Sequence, residues 1–199
     1  MKELLVNRFS PLPITGPVVE KDQLVSALQR GDREAVARAY ELFHDRVRTF
    51  ARRFLHDESA AEDLVHEVFV TLPAAIRSFR GESALSTFLI GIAVRHARHH
   101  MRSASRRRAA MERLALTPTA ASSPDAEDQA YAEQLARALS RAMDRLPDDQ
   151  RAVFVLCEMD ERTSAEVSMI VGAPEGTVRT RLFHAKRKLR DILEREGFR

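Results

Sequence analysis

The stretch SAEVSMIVGAPEGTVRTRLFHAKRKLRDILER, residues 164–195, decides the reading of this chain. Ser164 to Val171 is a short helix whose apolar side chains are Val167, Ile170 and Val171. Gly172-Ala173-Pro174 breaks it. Glu175-Gly176-Thr177 opens a second helix that runs to about Glu194. In that helix Val178, Leu182, Ala185 and Leu189 recur at steps of four, three and four, which makes one buried stripe. The opposite face presents Arg179, Thr180, Phe183, His184 and Arg187. Two helices around a tight Gly-containing turn, the second basic on its outer side, describe a helix-turn-helix. The bland alternative is an αα-hairpin with a solvated face, but this face carries few acids and an unpaired Phe. An α-helix fits the major groove, where Arg can donate two bonds to guanine and Thr can bond a base or touch a thymine methyl. Lys186, Lys188 and Arg190 are better placed for phosphates, which position a module without reading sequence.

Upstream of this element, Leu135, Leu139, Met143 and Leu146 fall in helical register. Pro147 favours a fresh helix start, and Asp148 and Asp149 suit its positive end. Val153, Phe154, Leu156 and Cys157 supply that helix's core, with Cys157 read as a small hydrophobe. Further upstream, Leu116 to Asp125 is small, polar and Pro-containing, which reads as a linker.

The N-terminal half is a second helical module. A helix from Asp22 ends at Gly31, and Asp32 caps the next one. That next helix places Val36, Tyr40, Phe43, Val47, Phe50 and Phe54 on one face. Ser59-Ala-Ala-Glu62 fits a capping box opening a helix that buries Leu64, Val65, Val68, Phe69 and Leu72. Pro73 lacks an N–H and is expected to kink or end it. After the turn Phe79 to Ser83, a long helix from Ala84 buries Leu85, Phe88, Leu89, Ile92 and Ala93. The chain therefore divides into a tail at 1–20, a module at 21–114, a linker at 115–127 and a module at 128–199. The expected fold class is all-α: two small helical domains joined by a flexible linker, the C-terminal one a helix-turn-helix.

Composition agrees with that division and excludes several alternatives. With 199 residues, 44% apolar and 31% charged, the chain can bury a core. Seven Gly, eight Pro and no Trp disfavour a β-sandwich or barrel. A single cysteine excludes an intramolecular disulfide framework and a Cys-rich zinc site. No apolar run approaches the roughly 20 residues of a membrane span, and Met1 to Glu20 has no secretory apolar core. A reduced, cytoplasmic protein with no direct membrane insertion is expected. The formal charge of +3 understates the basic character, because the charge is segregated. Arg95 to Arg113 holds seven arginines and three histidines against Glu112 alone. Arg179 to Arg195 holds seven Lys and Arg residues against Asp191 and Glu194. Two separated cationic stripes point to a polyanion contacted at two places. By contrast, Glu62, Asp63 and Glu67 form an acidic helix face, which spacing alone reads as solvated.

At this point the sequence resembles a known family. LPDDQRAVFVLCEMDERTSAEVSMIVGAPEGTVRTRLFHAKRKL (146–189) is similar to the C-terminal promoter-reading domain of bacterial sigma factors of the sigma-70 family. AEDLVHEVFVTLPAAIRSFRGESALSTFLIGIAVRHA (61–97) resembles their second conserved region. Having only these two regions is the extracytoplasmic-function (ECF) layout. The resemblance implies a factor that directs core RNA polymerase to promoters, reads −10 and −35 elements in promoter DNA, and aids promoter opening. It further implies a separate anti-sigma factor as partner. It assigns polymerase docking to the helix carrying Glu62, Asp63, His66 and Glu67, with His66 in place of the family's usual Gln. It assigns −10 contacts to Arg80, Ser83, Arg95, Arg98, Arg102, Arg106 and Arg107. Here Phe88 replaces a common Trp and reads as core, and Arg95 replaces a common Asn. It assigns −35 contacts to Arg179, Thr180, Phe183, His184, Lys186 and Arg187. His184 stands where Arg is frequent.

Thirteen linker residues (115–127) span at most about 45 Å, and one and a half duplex turns measure about 50 Å. With the domain radii added, the modules can straddle two promoter elements. The runner-up reading, a stand-alone dimeric helix-turn-helix regulator, calls for a sensor domain that the N-terminal half does not suggest. An enzyme is not expected. His96 and His100 stand i, i+4, but the sequence places no carboxylate or Cys beside them, and Arg95, Arg98 and Arg102 would repel a cation. No metal, cofactor or small-molecule substrate is implied.

Overall fold

The structure is a computed structural model and describes residues 18–111 and 127–198. The described residues are helical and turn structure with no strand, as the patterning predicts. In chain order the helices are α1 (Val18–Gln29), α2 (Arg33–Leu55), α3 (Glu58–Ala75), α4 (Leu85–Met111), α5 (Glu127–Asp144), α6 (Asp148–Phe154), α7 (Ser164–Val171) and α8 (Glu175–Arg195). A 3-10 turn, Ile76–Ser78, follows α3, and a π-helical turn, Val155–Met159, follows α6.

Helices α2, α3 and α4 pack on one another, with α1 lying against α2. Their contact buries Val47, Phe50 and Phe54 of α2, Leu64, Val68 and Leu72 of α3, and Leu89, Ile92 and Ala93 of α4. Gln29 ties the end of α1 to the far turn, its Nε2 donating to the Phe79 carbonyl at 3.0 Å. In the second half α8 is the central strut, with α5, α6 and α7 against it. Val178, Ala185, Leu189, Ile192 and Leu193 form its buried stripe, one turn longer than the spacing rule required, and Leu182 is half-buried.

Several expectations are corrected. The helix at the N-terminus begins at Val18, so Val18–Glu20 do not belong to a tail. Tyr40 is 43% exposed rather than in the α2 core, and the small residues Ala35 and Ala39 take the inward positions. The α3 cap is Asp57, not Ser59: its carboxylate accepts from the Ala60 N–H at 2.8 Å. Helix α3 ends two residues past Pro73, at Ala75, and gives way at once to the 3-10 turn Ile76–Ser78. The capping box stands instead at Thr163 and Glu166, ahead of α7. The 115–127 linker falls outside the described residues except for Glu127, which opens α5. The corrected cap makes a distinguishing prediction. Asp57→Ala is expected to destabilise the protein by about 1 kcal/mol, whereas Ser59→Ala is expected to be neutral. Urea unfolding of the two variants checks this, and the opposite order would restore the Ser59 cap.

The two halves are not merely tethered. Helix α4 packs on α7 and α6, and α2 packs on the π-helical turn. An apolar core runs through both. Gly91 of α4 lies against α7, where a Cβ would stand in ordinary van der Waals contact, 3.5 Å from the Ile170 carbonyl oxygen. Arg53 of α2 binds the Met159 carbonyl at 2.7 Å and the Asp160 carboxylate. The π-helical turn directs both acceptors at it, since the Asp160 N–H reaches back to the Val155 carbonyl. Beside this, Arg151 of α6 is fully buried. It donates to Asp144 at 2.8 Å and to His56 Nδ1 at 3.0 Å, and its guanidinium lies 5.2 Å from the centre of the Phe54 ring.

Candidate functional site

Three surfaces carry the residues expected to act. The first is the outer side of α8. Gly172 ends α7 in the left-handed conformation (φ 65°), which costs an L side chain more than glycine. Pro174 then leads directly into α8. That turn and the buried Val178 and Ala185 fix which face points out. Arg179, Thr180, Phe183, His184, Lys186 and Arg187 are all exposed, as the periodicity predicts. Phe183 is 61% exposed and packs edge-on against His184 at 5.5 Å between ring centres. Arg179 rests on Glu175 (3.3 Å), and the Thr180 hydroxyl donates to the Gly176 carbonyl at 3.0 Å. Lys186 pairs with Glu158 at 2.8 Å, so it is the least free of the set. His184, Arg187 and Lys188 also border a shallow depression shared with Gln150 and Asp191.

The second surface is the α3 face. Its four expected residues divide. Asp63 and His66 face solvent. Glu62 is held by Arg48 of α2, whose Nε approaches its carboxylate to 2.6 Å. Glu67 is half-buried and reaches across to α4, its carboxylate 3.1 Å from His96 Nδ1 and 3.0 Å from His100 Nε2. His96 also contacts the Thr71 hydroxyl at 3.1 Å. The sequence showed the i, i+4 histidines but placed no carboxylate beside them. Glu67 is that carboxylate, and it joins α3 to α4. The described residues hold no cluster arranged to bind a metal ion.

The third surface is α4 with the turn before it. Arg80 and Arg95 are exposed, and Ser83 is half-buried with its hydroxyl toward the Ala84 carbonyl. Phe88 packs on Phe79 at 5.0 Å and is half-buried against the core rather than fully within it. Arg98 and Arg102 turn to α6: Arg98 pairs with Asp149 at 2.8 Å, and Arg102 lies 3.6 Å from Asp148. The side chains of Arg106 and Arg107 lie outside the described residues. Sequence reasoning missed this contact entirely. Asp148 and Asp149 had a sufficient local explanation in the start of α6. Cys157 is half-buried, and burial pushes its thiol pKa up. Among the described residues no helix is long and apolar enough to cross a membrane.

An all-α chain with a basic helix-turn-helix in one half and an acidic-and-basic helical bundle in the other defines a class of DNA-directed transcription protein. Two family models match within it: Sigma-70 region 2 over residues 39–107, and Sigma-70, region 4 over residues 136–189. The ECF RNA polymerase sigma-E factor of Escherichia coli K12 is 30% identical over 170 residues, covering 82% of this chain and 88% of that protein. The RNA polymerase sigma-H factor of Pseudomonas aeruginosa is 26% identical over 182 residues, covering 88% and 94% respectively. The fold is also similar to that of the Bartonella quintana sigma factor RpoE, solved in complex with the anti-sigma factor NepR. There the TM-score is 0.56 at 23% identity, over 79% of this chain and 96% of that one. The chain belongs to the ECF group of the sigma-70 family of RNA polymerase sigma factors.

Proposed function

We propose that this protein directs core RNA polymerase to promoters by reading a −35 element with α8 and a −10 element with the α4 side of the first module. The observation that carries this reading is the outer face of α8. Six residues of the kinds that contact bases and phosphates stand exposed on a helix whose inner stripe is locked in the core. Arg179 and Thr180 would meet base edges. Arg187 and Lys186 would hold phosphates, Lys186 after leaving Glu158. Residues 21–114 would then act as the −10 and docking module and 128–199 as the −35 module. On α3, Asp63 and His66 offer the polymerase a carboxylate and an imidazole. Glu62 and Glu67 shape that face while engaged within the module. An anti-sigma partner is proposed on the family relationship and on the Bartonella RpoE complex.

Run-off transcription with core polymerase on genomic templates tests the reading, and the expected result is discrete, factor-dependent start sites. In that assay Arg179→Ala is expected to weaken use of a cognate promoter by roughly 5- to 150-fold, the equivalent of about 1–3 kcal/mol for a lost bidentate base contact. Unchanged transcription would show that the recognition face is misassigned.

A further inference from the structure

Two arginines of the α4 side that the proposed function turns toward DNA, and a third on α8 next to its recognition residues, are bound to one acidic turn of the same chain. Arg98 and Arg102 project from α4, and Arg181 projects from α8 beside the recognition residues. Asp149 takes two of them, Arg98 at 2.8 Å and Arg181 at 2.6 Å, through its two different carboxylate oxygens. Asp148 lies 3.6 Å from Arg102. These pairs join both basic stripes of the sequence to the first turn of α6. Two acidic groups on neighbouring residues thus offer carboxylates to guanidinium groups that phosphates would otherwise attract. The contact is reinforced around it by Arg53 on Asp160 and Met159, by Arg151 on His56, and by the packing of α4 on α7.

We propose that Asp148 and Asp149 act as an internal stand-in for DNA phosphates, holding the two modules closed and withholding Arg98, Arg102 and Arg181 until polymerase and promoter DNA displace them. The proposal rests on the DNA-facing assignment of α4 and α8. It adds a cost to duplex binding by the free chain: an open form with available arginines must first be populated, and apparent affinity falls by the open fraction. Arg98 is largely buried in its pair, with 17% of its side chain exposed, whereas Arg102 is 67% exposed and contributes least. The closed chain would therefore show a shallower salt dependence of duplex binding than its count of arginines implies, because paired arginines release no counterions.

The test is duplex binding by the full-length free chain, read by fluorescence anisotropy on a labelled 40-base-pair fragment, with X-ray scattering of the same samples. The D148N/D149N variant is expected to bind roughly tenfold more tightly than the parent. Its affinity should fall more steeply with salt, and its radius of gyration should rise. The E34Q/E41Q variant removes the same number of charges from exposed positions of α2 outside these contacts, and it is expected to change affinity little. Unchanged affinity of a folded D148N/D149N chain would overturn the proposal, and so would an equal gain in E34Q/E41Q, which would mark a net-charge effect. If circular dichroism shows the double variant unfolded, D149N alone decides by the same criteria, since it removes the acceptor shared by Arg98 and Arg181. These readouts need no polymerase. Failure here with factor-dependent transcription intact overturns the internal contact alone, whereas loss of run-off transcription would overturn the proposed function.

Discussion

Phe54→Ala is expected to destabilise the protein by about 4 kcal/mol. Phe54 is the last of the aromatic residues that α2 sends inward, and it is wholly buried. It packs on Phe50 at 5.6 Å between ring centres, and its other face carries the Arg151 guanidinium. Truncation therefore removes apolar area from the α2–α3–α4 contact and also leaves a cavity beneath a buried cation. His56 closes α2 in the left-handed conformation (φ 56°), its N–H bonded back to the Arg52 carbonyl. Urea unfolding followed at 222 nm provides the measurement. Tyr40→Ala on the same sequence stripe should cost well under half as much, since that ring is 43% exposed. If both substitutions cost the same, the inward face of α2 is wrongly assigned.

The contrast between Phe54 and Tyr40 marks how far sequence periodicity reaches. Steps of three and four identify a face, but they do not fix its rotation to better than about one residue when small side chains flank it. Ala35 and Ala39 could be seen in the sequence, yet nothing local says that a neighbouring helix will approach closely enough to prefer them to Tyr40. The same limit explains the cap. Ser59 and Glu62 satisfy a local motif, and so does Asp57; the choice depends on where His56 turns the chain. In α8 the apolar stripe and the Gly172-Ala173-Pro174 break leave one solution, so the exposed face was legible residue by residue. The α3 and α4 sites were legible only in part, because the partners that divide them come from distant positions. Arg48 reaches Glu62 from α2, Glu67 reaches His96 and His100 across a helix pair, and Asp149 reaches Arg98 across the two modules. Opposite charges attract whatever their separation in sequence, and a one-dimensional pattern carries no sign of which pairs the packing will bring together.

Arg151→Ala is expected to cost about 3 kcal/mol, and its cause separates the closed arrangement from a tethered pair. In a chain whose modules stood apart, Arg151 would lie at the open edge of α6, where an exposed ion pair with Asp144 is worth under about 1 kcal/mol. Packed on α2, the same cation is desolvated and depends on Asp144, His56 and Phe54 together. Asp144 retains 38% exposure and can be rehydrated once its partner is gone, which holds the cost to the lower end for a broken buried pair. The Arg151–His56 contact also gives the closed form a pH dependence. His56 Nδ1 accepts from the guanidinium, so the imidazole must be neutral at that nitrogen. Withdrawal of the ring from water and the adjacent Arg151 charge push its pKa down to about 4, against an opposing pull from Asp144. Between about pH 4 and the ordinary value of 6.5, the unfolded chain binds more protons at this residue than the folded one. The His56 contribution to stability is therefore intact above pH 6.5 and declines as the pH falls toward 4. Removing Arg151 takes away one of the two causes, so the His56 titration in a proton NMR series should move upward in Arg151→Ala. The Phe54–Arg151 double-mutant cycle should show coupling of at least about 0.5 kcal/mol. Near-neutral unfolding energetics for Arg151→Ala, together with an unshifted His56, would place the two modules apart in solution.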